Sequence, residues 1–181
     1  MNRIIIKSMK RILIIGISCS GKTTVGMKLS KKLNIPFHDL DDLYWNPGWI
    51  ETDKEKFKNS VTSLCKEESW IIVGNYNSVQ SLVLEECDTV IWLNLSRARV
   101  WYQAIVRSMR RILFSERCCN GNIESFQRTF LTKDSILLWV LKDYKRKYIK
   151  YSNMRDDGEF SKKEYIELRN TTQINNLLIK E

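Results

Sequence analysis

The 181-residue chain has a single histidine, and no apolar run approaches the roughly 20 residues that a membrane span needs. The first shortage excludes His-rich metal sites. The five cysteines do not replace them: Cys118 and Cys119 are adjacent, whereas zinc-binding sulfurs usually stand two to four residues apart. The second shortage leaves only the short stretch from Ile12 to Ile17, which continues into Ser18-Cys-Ser-Gly-Lys22 and not into a small-residue cleavage site, so no secretory leader is read there. An odd set of cysteines (Cys19, Cys65, Cys87, Cys118 and Cys119) without a leader predicts reduced thiols and a cytoplasmic location. Repeats and low-complexity tracts are also absent.

What is present is a chain of one-domain length that is 43% apolar, enough to bury a core. Its net charge of +9 is unevenly placed: residues 97–150 hold 13 Lys and Arg against 4 Asp and Glu, and the remainder balances. A positive field confined to one segment suits nucleic acid or the closing of basic side chains over phosphates.

Short β-branched runs alternate with helical patterns. Strands are expected at Lys10–Gly16, Ile35–Leu40, Trp70–Val73, Thr89–Leu93 and Tyr165–Arg169. Helices are expected at Lys22–Leu33, ending at Asn34; at Thr52–Ser69, opened by a capping box from Thr52 to Glu55; from Ser96 to about Phe114; over 132–151; and at Thr171–Lys180. Residues 115–125 read as a mobile loop, and residues 1–8, ahead of Met9, as an extension. The pattern defines an α/β fold, a three-layer sandwich on a central five-stranded parallel sheet, in which ligands sit beyond the carboxyl ends of the strands. One domain is expected over 1–181, with a core over 9–96, basic helices over 97–150 and a last strand and helix over 151–181.

Gly16-Ile-Ser18-Cys19-Ser20-Gly21-Lys22-Thr23 fits the phosphate-loop pattern G-x-x-x-x-G-K-[ST] at every fixed position, between a strand and a helix. Its glycines let successive N–H groups wrap a phosphate at a helix N-terminus. Gly16, Ser18, Cys19, Ser20, Gly21, Lys22, Thr23 and Thr24 are therefore the expected ATP contacts. Lys22 is expected on the β- and γ-phosphates, and Thr23 on Mg²⁺. A GTPase base-recognition motif of the Asn-Lys-x-Asp type is missing.

Two carboxylates and three aromatics follow the second strand: Asp39, Asp41, Tyr44, Trp45 and Trp49, in an acceptor loop at about 39–51. Asp41 is placed to orient or deprotonate a phosphoryl acceptor, Asp39 to do the same or to hold a magnesium water, and Tyr44, Trp45 and Trp49 to wall the acceptor's pocket. His38 is read as structural. The third strand ends in Gly74-Asn75-Tyr76, where Asn75 can make paired hydrogen bonds and joins Tyr76 as a substrate-side candidate. In the basic segment Arg107 and Arg111 share a helix face with Arg110 beside them, and the run Lys145-Arg146-Lys147 with Lys150 reads as a solvated helix end.

The stretch from Lys10 to Tyr76 resembles the adenylate-kinase-like P-loop kinases, and within them the group labelled topology-modulation or adenylate-kinase-related proteins. His38-Asp39-Leu-Asp41, Pro47-Gly48-Trp49, Trp70 to Tyr76, Asn120 to Ser125 and Lys133 to Trp139 carry the resemblance. It implies a helical lid between the two basic helices, with Arg107, Arg111, Arg117 and Arg128 closing over the transferring phosphoryl group, and a small-molecule acceptor. It also implies adenine recognition partly by backbone near Asn170. Relatives in that group often carry an acid where this chain has Val73, which would assign metal handling to Thr23 with Asp39 or Asp41. A nucleic-acid-binding regulator switched by ATP, or a nucleotide binder with weak ATPase activity, are the alternatives. No helix-turn-helix, zinc finger or aromatic-basic RNA signature supports the first.

Overall fold

The computed structural model describes residues 9–123 and 136–179. In chain order the elements are β1 (Arg11–Gly16), α1 (Lys22–Leu33), β2 (Phe37–Asp39), α2 (Leu40–Tyr44), β3 (Trp45–Asn46), β4 (Ile50–Glu51), α3 (Lys54–Cys65), β5 (Trp70–Val73), α4 (Asn77–Glu86), β6 (Thr89–Leu93), α5 (Arg97–Leu113), β7 (Arg117–Cys118), β8 (Asn122–Ile123), α6 (Ile136–Asp156), β9 (Glu164–Leu168) and α7 (Thr171–Ile179).

Five strands form one parallel sheet in the order β2-β5-β1-β6-β9. The three inner strands are apolar at nearly every position because both faces are covered, as parallel sheets require. Alternation along β1 then sorts the core into two layers. Leu13 and Ile15 face Phe57, Val61, Val79, Val83 and Tyr151 of α3, α4 and α6. Ile12 and Ile14 face Val25 and Leu29 of α1 and Leu177 of α7. The expected three-layer α/β architecture is thus present. The lid expected between the basic helices falls largely on 124–135, outside the described residues.

Several boundaries move, each for a local reason. The helix expected at Thr52–Ser69 is Lys54–Cys65, and its cap is Asp53, whose carboxylate accepts from the Glu55 and Lys56 amides at 3.0 Å. The Thr52 hydroxyl is engaged on the other side, accepting from Asn46 Nδ2 at 3.0 Å and donating to the Leu43 carbonyl at 2.9 Å. Helix α4 was not foreseen, although Val79, Leu82 and Val83 carry the spacing of one apolar face. The loop read over 115–125 contains the β7–β8 hairpin, and the acceptor loop folds into α2 and the β3–β4 hairpin. Helix α6 runs on to Asp156, past the expected end at 151.

Candidate active site

The phosphate loop leaves β1 at its carboxyl end and turns into α1 through left-handed residues at Cys19 (φ 65°) and Gly21 (φ 93°). Left-handed residues in such a turn point successive amides into one concavity, which suits an anion. Ser20 is buried beneath the loop, Ser18 and Cys19 are half-buried and Thr24 is exposed. The Lys22 ammonium donates to the carbonyls of Gly16 and Ile17, each at 3.0 Å, leaving one of its three protons to aim elsewhere. Burial pulls the Lys22 pKa down, while Asp41 and Asp39 act to raise it.

Beside the loop stands β2, whose last residue, Asp39, turns into α2. The Thr23 hydroxyl donates to Asp39 Oδ2 at 2.7 Å, and Asp39 Oδ1 caps α2 by accepting the Asp41 amide at 3.0 Å. Burial and the neighbouring Asp41 push the Asp39 carboxyl up to about 6. Asp41 Oδ1 accepts from the Tyr76 hydroxyl at 2.7 Å. Burial and Asp41 push the Tyr76 phenol far up, so it stays a neutral donor. Val73 lies in register beside Asp39 on the neighbouring strand, and its side chain is buried in the α1 layer. The carboxylate beside Thr23 is therefore supplied by β2. A hydroxyl and a carboxylate in contact, next to an amide nest, form a donor set that fits Mg·ATP: Thr23 and Asp39 offer the hard oxygen atoms that could hold the ion.

The Gly74 backbone allows this geometry. At φ 142° it passes so close to α2 that an added Cβ would lie 2.7 Å from Leu40 Cβ. The next residue, Asn75, makes the paired hydrogen bonds expected of it. Both ends of the Asn75 side chain are engaged within the protein: Nδ2 donates to the Gly16 carbonyl at 2.6 Å, and Oδ1 accepts from the Tyr151 hydroxyl at 2.9 Å. Asn75 is therefore tied to the phosphate loop on one side and to α6 on the other. The reading of Lys145–Lys147 and Lys150 as a solvated helix end is overturned. Lys145 and Arg146 are exposed, but Lys147 is 5% exposed and donates to the Asn75 carbonyl at 3.4 Å, while Lys150 reaches Asn77 Oδ1 on α4 at 2.7 Å.

The aromatic wall is interlocked. Tyr44 meets Trp45 edge-on with ring centres 5.0 Å apart and lies 4.6 Å from Tyr76; Trp45 meets Trp49 at 5.7 Å. Trp49 sits in the left-handed region (φ 60°), costly for a bulky residue, and is held there from outside: its amide donates to Asn122 Oδ1 at 2.9 Å. Asn122 Nδ2 also donates to the carbonyls of Asn46 (3.0 Å) and Cys119 (2.6 Å), and Asn120 Nδ2 to those of Asp42 and Trp45. The β7–β8 hairpin is thus latched onto the acceptor loop. Cys119 lies near both carboxylates: its hydrogen bond with Cys118, burial and Asp41 push its thiol far up. Neither the asparagine latch nor Cys119 was singled out from sequence; the run Asn120-Gly121-Asn122 was the available signal, since such residues favour tight turns.

Of the expected arginines, Arg107 is half-buried on α5 and near enough to Lys22 to lower its pKa. Arg111 is half-buried one turn on, and Arg117 is exposed on β7. Arg110, beside them, is paired with Glu116 at 2.9 Å. Arg128 lies outside the described residues.

A phosphate loop at the carboxyl end of β1, with Asp39 at the end of β2 and Asp41 just beyond it in α2, is the arrangement of a P-loop nucleotide-binding fold. The comparisons agree with that class. The family model for shikimate kinase matches residues 18–70. A shikimate kinase of Flavobacterium psychrophilum is 37% identical over 82 residues, 42% of this chain and 44% of the relative; the chain thus matches less than half the length of that curated relative. Among solved structures, a gluconokinase from Sinorhizobium meliloti superposes with a TM-score of 0.53 at 14% identity, covering 93% of this chain and 87% of that one. A shikimate kinase from Acinetobacter baumannii in complex with shikimate gives 0.52 at 18% identity, covering 95% and 90%. At these identities the superpositions establish the fold. The finer resemblance to the topology-modulation group finds no support in them.

Proposed function

We propose that the protein transfers the γ-phosphoryl group of Mg·ATP to a hydroxyl of a small acceptor, with shikimate the first acceptor to try. One observation carries this reading: the phosphate loop, the Thr23–Asp39 pair and the Tyr76-held Asp41 converge beyond the carboxyl ends of β1, β2 and β5. The family match over 18–70 takes in the loop from Ser18 onward and both acids.

In this reading the loop amides and Lys22 cradle the phosphates, and Thr23 with Asp39 would hold the magnesium ion, whose charge neutralises the phosphoryl oxygens. Asp41 accepts the proton of the acceptor hydroxyl, and the Tyr76 hydroxyl fixes which carboxylate oxygen is left to do so. Arg107 and Arg111 meet charge on the phosphoryl group or on an acceptor carboxylate, for which a guanidinium fork is suited. Arg117 and Arg128 are further candidates from the hairpin and the segment beyond it. Tyr44, Trp45 and Trp49 keep water from the acceptor. All five cysteines are thiols, which favours a reducing compartment, and we place the reaction in the cytoplasm.

The test is ADP release from Mg·ATP against shikimate, gluconate, nucleosides, nucleoside monophosphates and duplex DNA, with Lys22→Ala as control. Release stimulated by one small acceptor and lost in the variant is expected. ATP binding with no stimulation by any of them would overturn the reading, and stimulation by DNA alone would replace it with nucleic-acid-linked hydrolysis.

A further inference from the structure

We propose that Tyr151 and Lys147 of α6, acting through Asn75, brace the phosphate loop in its phosphate-binding shape, so that α6 sets nucleotide affinity without touching nucleotide. The proposal rests on the reading that residues 16–23 bind a polyphosphate. It assigns positioning roles to residues that the phosphate-loop motif does not include.

Gly16 opens the loop at φ 150° and has no side chain to fix its peptide. Its carbonyl is held instead by two donors, Lys22 Nζ at 3.0 Å and Asn75 Nδ2 at 2.6 Å. The Asn75 amide is in turn oriented by the Tyr151 hydroxyl at 2.9 Å, and the Asn75 main chain by Lys147 at 3.4 Å. Rotating the Gly16 peptide would break the Asn75 bond and turn the following amide away from the nest. An unbroken path of hydrogen bonds therefore runs from α6 to the first peptide of the loop.

The burial of these groups argues that their placement is specific. Tyr151 is 1% exposed and Lys147 is 5% exposed, in a helix face otherwise packed on Trp92. Burying an ammonium is costly unless it is paired. Lys147 is compensated by Asp143 one turn back and by the Asn75 carbonyl; Arg146, Lys150 and Lys22 face it as like charges, and burial draws its pKa down. Asp143, 3% exposed, has one oxygen paired with Arg146 and the other, Oδ2, buried without a partner among the described residues. A solvated arrangement of the same charges would avoid these costs.

The experiment measures affinity, with magnesium, for a non-hydrolysable ATP analogue and for inorganic tripolyphosphate, in the parent, Tyr151→Phe, Asn75→Ala and the double variant. Lys150→Met is the control, since Lys150 also ties α6 to the α4 side but does not lead to Gly16. The expectation is a loss of about tenfold for each single variant, on both compounds, with the double variant no weaker than the weaker single. Lys150→Met is expected to stay within about twofold. A loss shared by tripolyphosphate, which has no base, locates the defect in the loop. Melting temperature is read alongside, and Tyr151→Phe is the variant that keeps the packing if Asn75→Ala does not fold. Parental affinity in Tyr151→Phe, multiplying losses, or an equal loss in Lys150→Met would each overturn the brace. A parent that binds neither compound would overturn the brace together with the nucleotide reading. A parent that binds both but phosphorylates no acceptor would leave the brace standing and sink the kinase reading alone.

Discussion

Removing Asn122 should release the acceptor loop. Its side chain is 5% exposed and makes three hydrogen bonds, donating to the Asn46 and Cys119 carbonyls and accepting from the Trp49 amide. Each such bond contributes about 1 kcal/mol net, so Asn122→Ala should weaken the latch by roughly 2–4 kcal/mol. Trp49 in the left-handed region adds to this, because its strained backbone relaxes once the amide is no longer held. The energy is local, so amide exchange is the assay. Protection of the Trp49 amide should fall by about two orders of magnitude. The Thr52 amide, which donates to Tyr44 at 2.8 Å and does not touch Asn122, should lose protection with it if the hairpin holds the whole loop. In turnover the acceptor KM should rise while nucleotide affinity stays at the parental value. Full protection of Thr52 in a variant whose Trp49 exchanges freely would refute the reasoning, since the latch would then hold one peptide and not the loop.

Asp39→Asn separates stability from activity by pH. The folded carboxyl titrates at about 6, above its ordinary value of 3.8, so between those limits the native state keeps a proton that the unfolded chain has released. Parental stability should therefore fall as pH rises through that window and stay lower above it. The Asn variant should lack this slope, matching the parent near pH 3.5 and exceeding it at pH 7 in denaturant melts, while losing turnover. A second prediction concerns Gly26 on α1, where an added Cβ would lie 2.5 Å from Phe37 Cε2 and 3.0 Å from Val73 Cγ1. Overpacking outweighs the helix propensity gained, so Gly26→Ala should lower stability by about 1–2 kcal/mol. Adding Phe37→Leu should recover part of that loss; a purely additive double variant would show that the ring is not the obstacle.

The sheet and the phosphate loop were legible in the sequence because both are local. β-branched runs such as Trp70–Val73 identify buried strands by themselves, and the loop motif carries its own flanking strand and helix. The placement of Asp39 and Asp41 beside the phosphate loop was legible because both follow a short strand directly. What escaped was non-local. The cap of α3 is Asp53 while Thr52 bonds back to Leu43, and the asparagine latch joins residues more than 70 positions apart. Asn75 carried the right hydrogen-bonding capacity, but its partners Gly16 and Tyr151 could only be identified once the chain had folded.

The misreading of the basic run has a physical root, namely that a count of charges has no direction. Lys145, Arg146 and Lys147 are consecutive, but successive helical residues are rotated by about 100°. A run that looks uniformly basic therefore presents two side chains to water and turns the third into the protein, where it meets Asn75. Position 73 shows the same effect in a strand. Its side chain alternates toward the α1 layer, and the apolar residue there costs the site no carboxylate, because the parallel register sets Asp39 directly beside it and within 2.7 Å of Thr23. An acid absent from one strand can thus be supplied by its neighbour, so metal-handling capacity in such a sheet must be judged across the register and not along the chain.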